Sequence, residues 1–227
     1  EFAMPAVCPS CGTPVSRDES EAAVYCPNLS CPTQQVRLLE HFASRGAMDI
    51  EGLGEKMAYT LFRAGLVTTI ADVYDLSAER LAEFEEFRTR DGRLSKVAEN
   101  LLAGIEKSKS RPLPNVLFAL GIRHVGYETA RVLAERFGGL AAVLDADAEA
   151  LQGVEGIGGG GGRSIADWTA RGENRAVVER LVASGVDPRV TPRAAAEAGT
   201  LTGLTLVVTG RLETMSRSEA EERIREA

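Results

Sequence analysis

Four cysteines fall within the first 31 residues, as Cys8-Pro9-Ser10-Cys11 and then Cys26 followed by Cys31. The spacing is C-x2-C, fourteen residues, then C-x4-C. Two closely spaced pairs joined by a loop suit tetrahedral Zn2+, because each pair offers two thiolates from one tight turn. Pro9, Gly12 and Pro14 around the first pair, and Pro27, Asn28 and Pro32 around the second, supply the turn chemistry. Four thiolates leave no position open for water, so such a site would be structural rather than catalytic. Two disulfides are the alternative, but they need an oxidising compartment that nothing in the sequence suggests. A segment of about 30 residues has little core of its own, so the metal would supply most of its folding energy.

The second candidate chemistry is carried by glycines. Ile50-Glu51-Gly52-Leu53-Gly54, Gly121-Ile122-Arg123-His124-Val125-Gly126 and Val154-Glu155-Gly156-Ile157-Gly158 each sit between segments with helical periodicity. A tight hairpin of this kind aims backbone N–H groups outward from the start of the second helix, which makes an anion site. Gly52 and Gly54 are expected to supply positive φ and room for a phosphate. His124 stands where the other hairpins have their first glycine, and reads as a solvent-side turn residue. The candidate phosphate-backbone contacts are Gly52, Gly54, Gly126, Gly156 and Gly158, helped by Lys56, Arg123, Arg131 and Arg163. His41 reads as a surface or interface histidine rather than a fifth zinc ligand. No nucleophile and base pair is evident, so no residue is assigned a catalytic role. Gly156-x-Gly158-x-x-Gly161 matches a dinucleotide fingerprint formally, but the residues before it look helical, not like the strand that fingerprint requires.

The elements that position these groups are mostly helices. Val36, Leu39 and Phe42 begin one that ends near Gly46, and Met57, Ala58, Leu61 and Phe62 line the next, up to Gly65. Helices are also expected from Ser95 to Ser108, around Leu113, Val116, Leu117 and Leu120, around Ala130, Leu133, Ala134 and Phe137, and from Arg175 to Ser184. A second helical pair has a long charged connection, residues 88–93, in place of a tight hairpin, and its contact with phosphate stays open. After the fourth hairpin a glycine run reaches Gly162; a helix through it would be poorly supported, so the helix starts near Gly162, with Arg163 in its first turn, or the run is mobile. Residues 191–199 read as a linker. Leu204 to Gly210 then alternates with period two, as a strand, and Ser216 opens a helix with Ala220 and Ile224 inward. One strand and one helix bury too little to stand alone, so this piece is a domain cut short.

Net charge is −7, with 44% hydrophobic and 5% aromatic residues. The acids are concentrated: residues 72–91 hold seven acids against three arginines, a stretch that reads as a solvated outer face. Residues 111–136 hold four arginines against two glutamates and bracket the third hairpin. No stretch approaches the ~18 apolar residues of a membrane span, and no leader sequence is evident at the start.

The order of parts resembles the C-terminal half of bacterial NAD-dependent DNA ligase. The resemblance is carried by the cysteine pattern, by Ala47-Met48-Asp49-Ile50-Glu51-Gly52-Leu53-Gly54, by Phe118-Ala119-Leu120-Gly121-Ile122-Arg123, and by Leu201-Thr202-Gly203 with Val208-Thr209-Gly210 and Arg217. It covers nearly the whole chain. It implies a mainly α fold: a four-cysteine zinc finger over 1–34, four helix-hairpin-helix units over 35–190, a linker over 191–199, and the start of an α/β BRCT domain over 200–227. It further implies structural Zn2+ on Cys8, Cys11, Cys26 and Cys31, nicked double-stranded DNA as partner, a monomer, and a cytoplasmic, nucleoid-associated protein of replication and repair. The family's adenylation lysine lies in Lys-x-Asp-Gly, and none of Lys56, Lys96, Lys107 or Lys109 does. NAD and Mg2+ would then be used by a catalytic domain outside this chain, which alone would be inactive. A free-standing DNA-binding or protein-binding adaptor is the alternative, with the acidic stretch as its surface.

Overall fold

The structure is a computed structural model describing residues 3–17, 23–28, 31–154, 157, 159–190, 206–210, 220 and 223–224. Two strands, β1 (Ser16–Arg17) and β2 (Val24–Tyr25), pair antiparallel in the cysteine-rich segment, with Ser16 opposite Tyr25. The helices follow. Helix α1 (Pro32–Ala43) starts directly at the metal module, with Cys31 as its N-cap and Pro32 at the first helical position, where a missing N–H costs nothing. The rest of the first pair is α2 (Glu55–Arg63). A 3-10 turn, Ile70–Asp75, leads to α3 (Ala78–Ala82), a second 3-10 turn, Glu85–Phe87, and α4 (Lys96–Ser108). The third pair is α5 (Leu113–Ala119) and α6 (Tyr127–Phe137). Then come α7 (Leu140–Asp145), α8 (Ala148–Gln152), α9 (Gly159–Thr169) and α10 (Gly172–Ala183).

One aliphatic core runs beneath all these pairs, from Leu39 and Phe42 through Leu61, Leu101, Leu117 and Leu133 to Ile165 and Leu181. Most residues of the helical stripes read from the sequence face this core; Phe62 on α2 is half-buried outside it. The expected boundaries shift at α1, which begins four residues before Val36, and at α10, which begins three before Arg175. Both shifts add polar residues at helix starts, where periodicity carries no signal.

Three expectations need correction. Helix α9 begins at Gly159, not near Gly162, and this puts Arg163 just past the first turn. Tertiary packing overrides propensity here: a Cβ on Gly162 would lie 3.0 Å from Gln152 Cα, and one on Gly161 3.1 Å from Ile157 Cγ2. The acidic stretch is not a wholly solvated face either, since Asp72 is tucked against Arg180, as detailed below. Finally, residues 206–209 form no strand; a period-two pattern marks two faces but does not provide a pairing partner.

Contacts divide the chain into two compact units, Glu1–Pro192 and Arg193–Ala227. In the second, residues 220, 223 and 224 are helical and Ala220 is buried. The linker, Leu201-Thr202-Gly203 and Arg217 lie outside the described residues. No helix among the described residues is long and apolar enough to cross a membrane.

Candidate nucleic-acid interface and metal centre

The four cysteine sulfurs converge. Sγ atoms of Cys8, Cys11, Cys26 and Cys31 all lie within 4.8 Å of one another, with Cys8–Cys31 at 3.9 Å and Cys11–Cys26 at 3.5 Å. Tetrahedral zinc with ordinary Zn–S bonds requires sulfurs about 3.8 Å apart. All four thiols are free rather than paired as disulfides, so the donor set fits Zn2+. The turn chemistry is visible: Gly12 adopts φ +71°, and its N–H donates to the Cys8 carbonyl at 2.8 Å. The Thr13 hydroxyl, 3.3 Å from Cys11 Sγ, helps hold that thiol down at about 6. Burial pushes Cys26 up to about 12, so it needs a cation beside it to ionise at neutral pH. Bound zinc would stabilise the fold of this module. His41 is not in the ligand set; its Nε2 lies 2.8 Å from the Phe118 carbonyl, linking α1 to α5.

The three hairpins share one closing hydrogen bond. In each, a buried apolar residue's carbonyl accepts from the N–H three residues on: Ile50 from Leu53 at 3.2 Å, Ile122 from Val125 at 3.0 Å, Val154 from Ile157 at 3.1 Å. All six residues are buried, plugging each hairpin into the core. Between the plugs of the first and third hairpins sits a residue with positive φ, Gly52 at +88° and His124 at +62°. Histidine tolerates this geometry in an exposed turn.

Gly54 and Gly126 play another part. They do not adopt positive φ, contrary to the expectation for Gly54; they are the N-caps of α2 and α6, with φ −85° and −79°. Any residue can take that backbone. A Cβ on either would meet nothing within 4 Å, and no side chain caps either helix. Serine or aspartate would cap better by folding onto the first N–H groups. Glycine leaves those N–H groups, and the positive end of the helix dipole, facing outward.

The charged helpers divide. Lys56 is exposed in the first turn of α2. Arg123 is exposed on the third hairpin, its guanidinium 4.3 Å from the centre of the Tyr25 ring, so the metal module braces it. Arg131 is held by Glu128 at 3.0 Å and Glu135 at 2.5 Å, with a quarter of its side chain exposed. Each helix start also carries an acid, and each acid is drawn aside by an arginine: Glu55 by Arg37 at 3.0 Å, Glu128 by Arg131. Arg163 is exposed on α9. Gly156 and Gly158 lie outside the described residues.

The second helical pair has no tight hairpin. Residues 88–94 form a small β-like loop, in which Thr89 N–H donates to the Arg93 carbonyl at 2.8 Å and Gly92 adopts φ +82°. Arg93 is paired with Asp91 at 2.6 Å. This pair instead supports the first hairpin: a Cβ on Gly104 of α4 would lie 3.0 Å from the Glu51 carbonyl oxygen, so only glycine lets α4 seat there. Sequence reasoning missed Gly104, and also Arg111 and Asn115, whose side chains hold the carbonyls of residues 45–47. An asparagine inside an otherwise apolar stripe was the available signal.

Residues 7–32 match the NAD-dependent DNA ligase C4 zinc finger domain, 45–87 the SAM-like helix-hairpin-helix tandem, and 115–178 the helix-hairpin-helix motif. The DNA ligase of Rubrobacter xylanophilus is 46% identical over 221 residues, covering 97% of this chain and 31% of that protein. That of Gemmatimonas aurantiaca is 42% identical over 226 residues, covering 100% and 32%. That of Roseiflexus sp. (strain RS-1) is 44% identical over 219 residues, covering 96% and 29%. The chain thus spans about a third of the length of these relatives.

Proposed function

The chain belongs to the bacterial NAD-dependent DNA ligases, as their zinc-finger and helix-hairpin-helix portion, and from that premise we propose that it is the part that grips duplex DNA beside a nick. The exposed N–H groups at the starts of α2 and α6 hold backbone phosphates, with the fourth hairpin adding Gly156 and Gly158. Lys56, Arg123 and Arg163 add positive charge, while Arg131 chiefly neutralises the acids beside it. Such contacts carry no base information and weaken with salt, which suits an enzyme that must act on any sequence. Sealing itself, with its NAD and Mg2+, belongs to the remaining two thirds of the ligase, and this portion alone is inactive. It works as a monomer in the cytoplasm, with zinc holding Tyr25 and α1 in place and residues 200–227 opening a BRCT domain.

The observation that carries the reading is the pair of N-cap glycines that neither the backbone angles nor the packing requires. The test uses Gly54→Asp with Gly126→Asp. Aspartate is a favoured N-cap, so both helices stay folded, but its carboxylate occupies the N–H groups and repels phosphate. We expect nicked-duplex affinity to fall at least tenfold and its salt dependence to flatten. Unchanged affinity, or salt-independent binding by the wild type, overturns the reading.

A further inference from the structure

We propose that helix α5 is a strut setting the separation of the first and third hairpins, with Asn115 and Arg111 as its positioning residues. This rests on the DNA-gripping reading above. One end of the helix holds the approach to the first hairpin. Arg111 donates from Nη2 to the Arg45 carbonyl at 3.0 Å and from Nε to the Ala47 carbonyl at 2.9 Å, and Asn115 Nδ2 donates to the Gly46 carbonyl between them at 2.8 Å. Three successive carbonyls are therefore captured by two side chains, and the hairpin's first plug, Ile50, comes three residues after the last of them. The other end of the same helix runs into the third hairpin through Leu120 and Gly121, which adopts φ +65°. A Cβ on Gly121 would lie 2.7 Å from Leu38 Cδ1, so α1 packs against that end as well.

Asn115 marks the device. It is 7% exposed among Leu113, Val116, Leu117 and Ala119, all of them buried. Burying an amide there is unfavourable unless it is hydrogen-bonded, and a leucine would serve the core better. Its partner carbonyl, and the two flanking it, receive no backbone N–H among the described residues. A helix of seven residues is a rigid rod about 10 Å long. Two weak phosphate grips on one rigid frame reinforce each other when their spacing matches the duplex, and that gain is lost when both cannot engage together.

Nicked-duplex affinity of the 227-residue chain should be measured across a salt series for Asn115→Leu and Arg111→Gln, each with and without Gly54→Asp. We expect each brace variant to bind about five- to tenfold more weakly, and the Gly54→Asp penalty to shrink severalfold in either brace background. That non-additivity is the signature of residues acting on one contact; a loss of stability alone would leave the penalties multiplicative. Should Asn115→Leu fail to unfold cooperatively, Arg111→Gln, at a half-buried position, decides by itself. Wild-type affinity in the brace variants, or strictly multiplicative penalties, overturns the strut. Absence of salt-sensitive binding by the wild type overturns the underlying DNA-gripping reading instead.

Discussion

Asp72 belongs to an acidic stretch but is committed to the fold. Its Oδ2 accepts from the N–H groups of Thr68 and Thr69, both at 2.7 Å, and from the Thr68 hydroxyl at 2.8 Å, closing the 3-10 turn that follows. Its Oδ1 meets Arg180 at 2.8 Å, and Arg180 also pairs with Asp75, so α10 is fastened to this turn. Burial opposes ionisation, but the hydrogen bonds from Thr69 and Thr68 and the Arg180 guanidinium outweigh it and hold Asp72 at about 2, below an ordinary 3.8. A folded-state value below the unfolded one means the carboxylate stabilises the fold above about pH 4, and that this contribution fades as pH falls through about 2. Asp72→Asn should therefore cost on the order of 2 kcal/mol at neutral pH, with the gap to wild type closing in acid. Denaturant melts at pH 7 and pH 2.5 check this; a pH-independent gap would contradict it.

At the scale of elements, the glycine run in α9 divides by position. Gly160 has nothing within 4 Å of where a Cβ would stand, whereas Gly162 presses on the backbone of Gln152 in α8 at 3.0–3.1 Å. Gly160→Ala should therefore stabilise the chain by about 0.5–1 kcal/mol through helix propensity. Gly162→Ala should destabilise it by about 1–3 kcal/mol, because α8 must move. Thermal unfolding of the two variants gives the comparison, and shifts of the same sign would overturn this account of the α8–α9 contact. Gly104 against Glu51 is the same device under the first hairpin. In both places a helix from one unit approaches another segment's backbone so closely that no side chain fits.

At the scale of the molecule, the metal module is both a small domain and the start of the helical array. Cys31 caps α1, Gln34 Nε2 donates to the Cys26 carbonyl at 2.8 Å, and Tyr25 lies under Arg123. Stripping zinc with a chelator should unravel residues 3–31 and the first turn of α1, because that segment has almost no core of its own. The helices from α2 to α10 should persist on their shared aliphatic core. Hydrogen exchange would show protection lost in the first region and kept in the second. DNA affinity should fall with it, because Arg123 loses its support; an affinity indifferent to the chelator would separate zinc from the grip.

The metal site and most of the helices are legible in the sequence because their signals are local. Cysteine spacing limits which sulfurs can meet, and helical stripes are periodic within single segments; Ile50 and Leu53 announce the hairpin they plug, and the same pattern recurs twice. What local pattern misses is the partner. Asn115 and Gly46 lie 69 positions apart, and Arg180 and Asp75 lie 105 apart, so no window of sequence contains both ends of either contact. The role of Gly162 was hidden for the same reason, since its constraint is the backbone of another helix. The glycines at 54 and 126 were legible as parts of the hairpins, yet their backbone angles were not: only the folded turn separates the residue that needs positive φ from the one that leaves a helix start uncovered. The sequence by itself thus determined which sulfurs can meet around zinc and which hairpins can offer backbone N–H groups to an anion, because both are properties of residue type and short spacing. The tertiary structure alone decided how they are held relative to one another, because that depends on contacts between distant segments that form only when the core is packed.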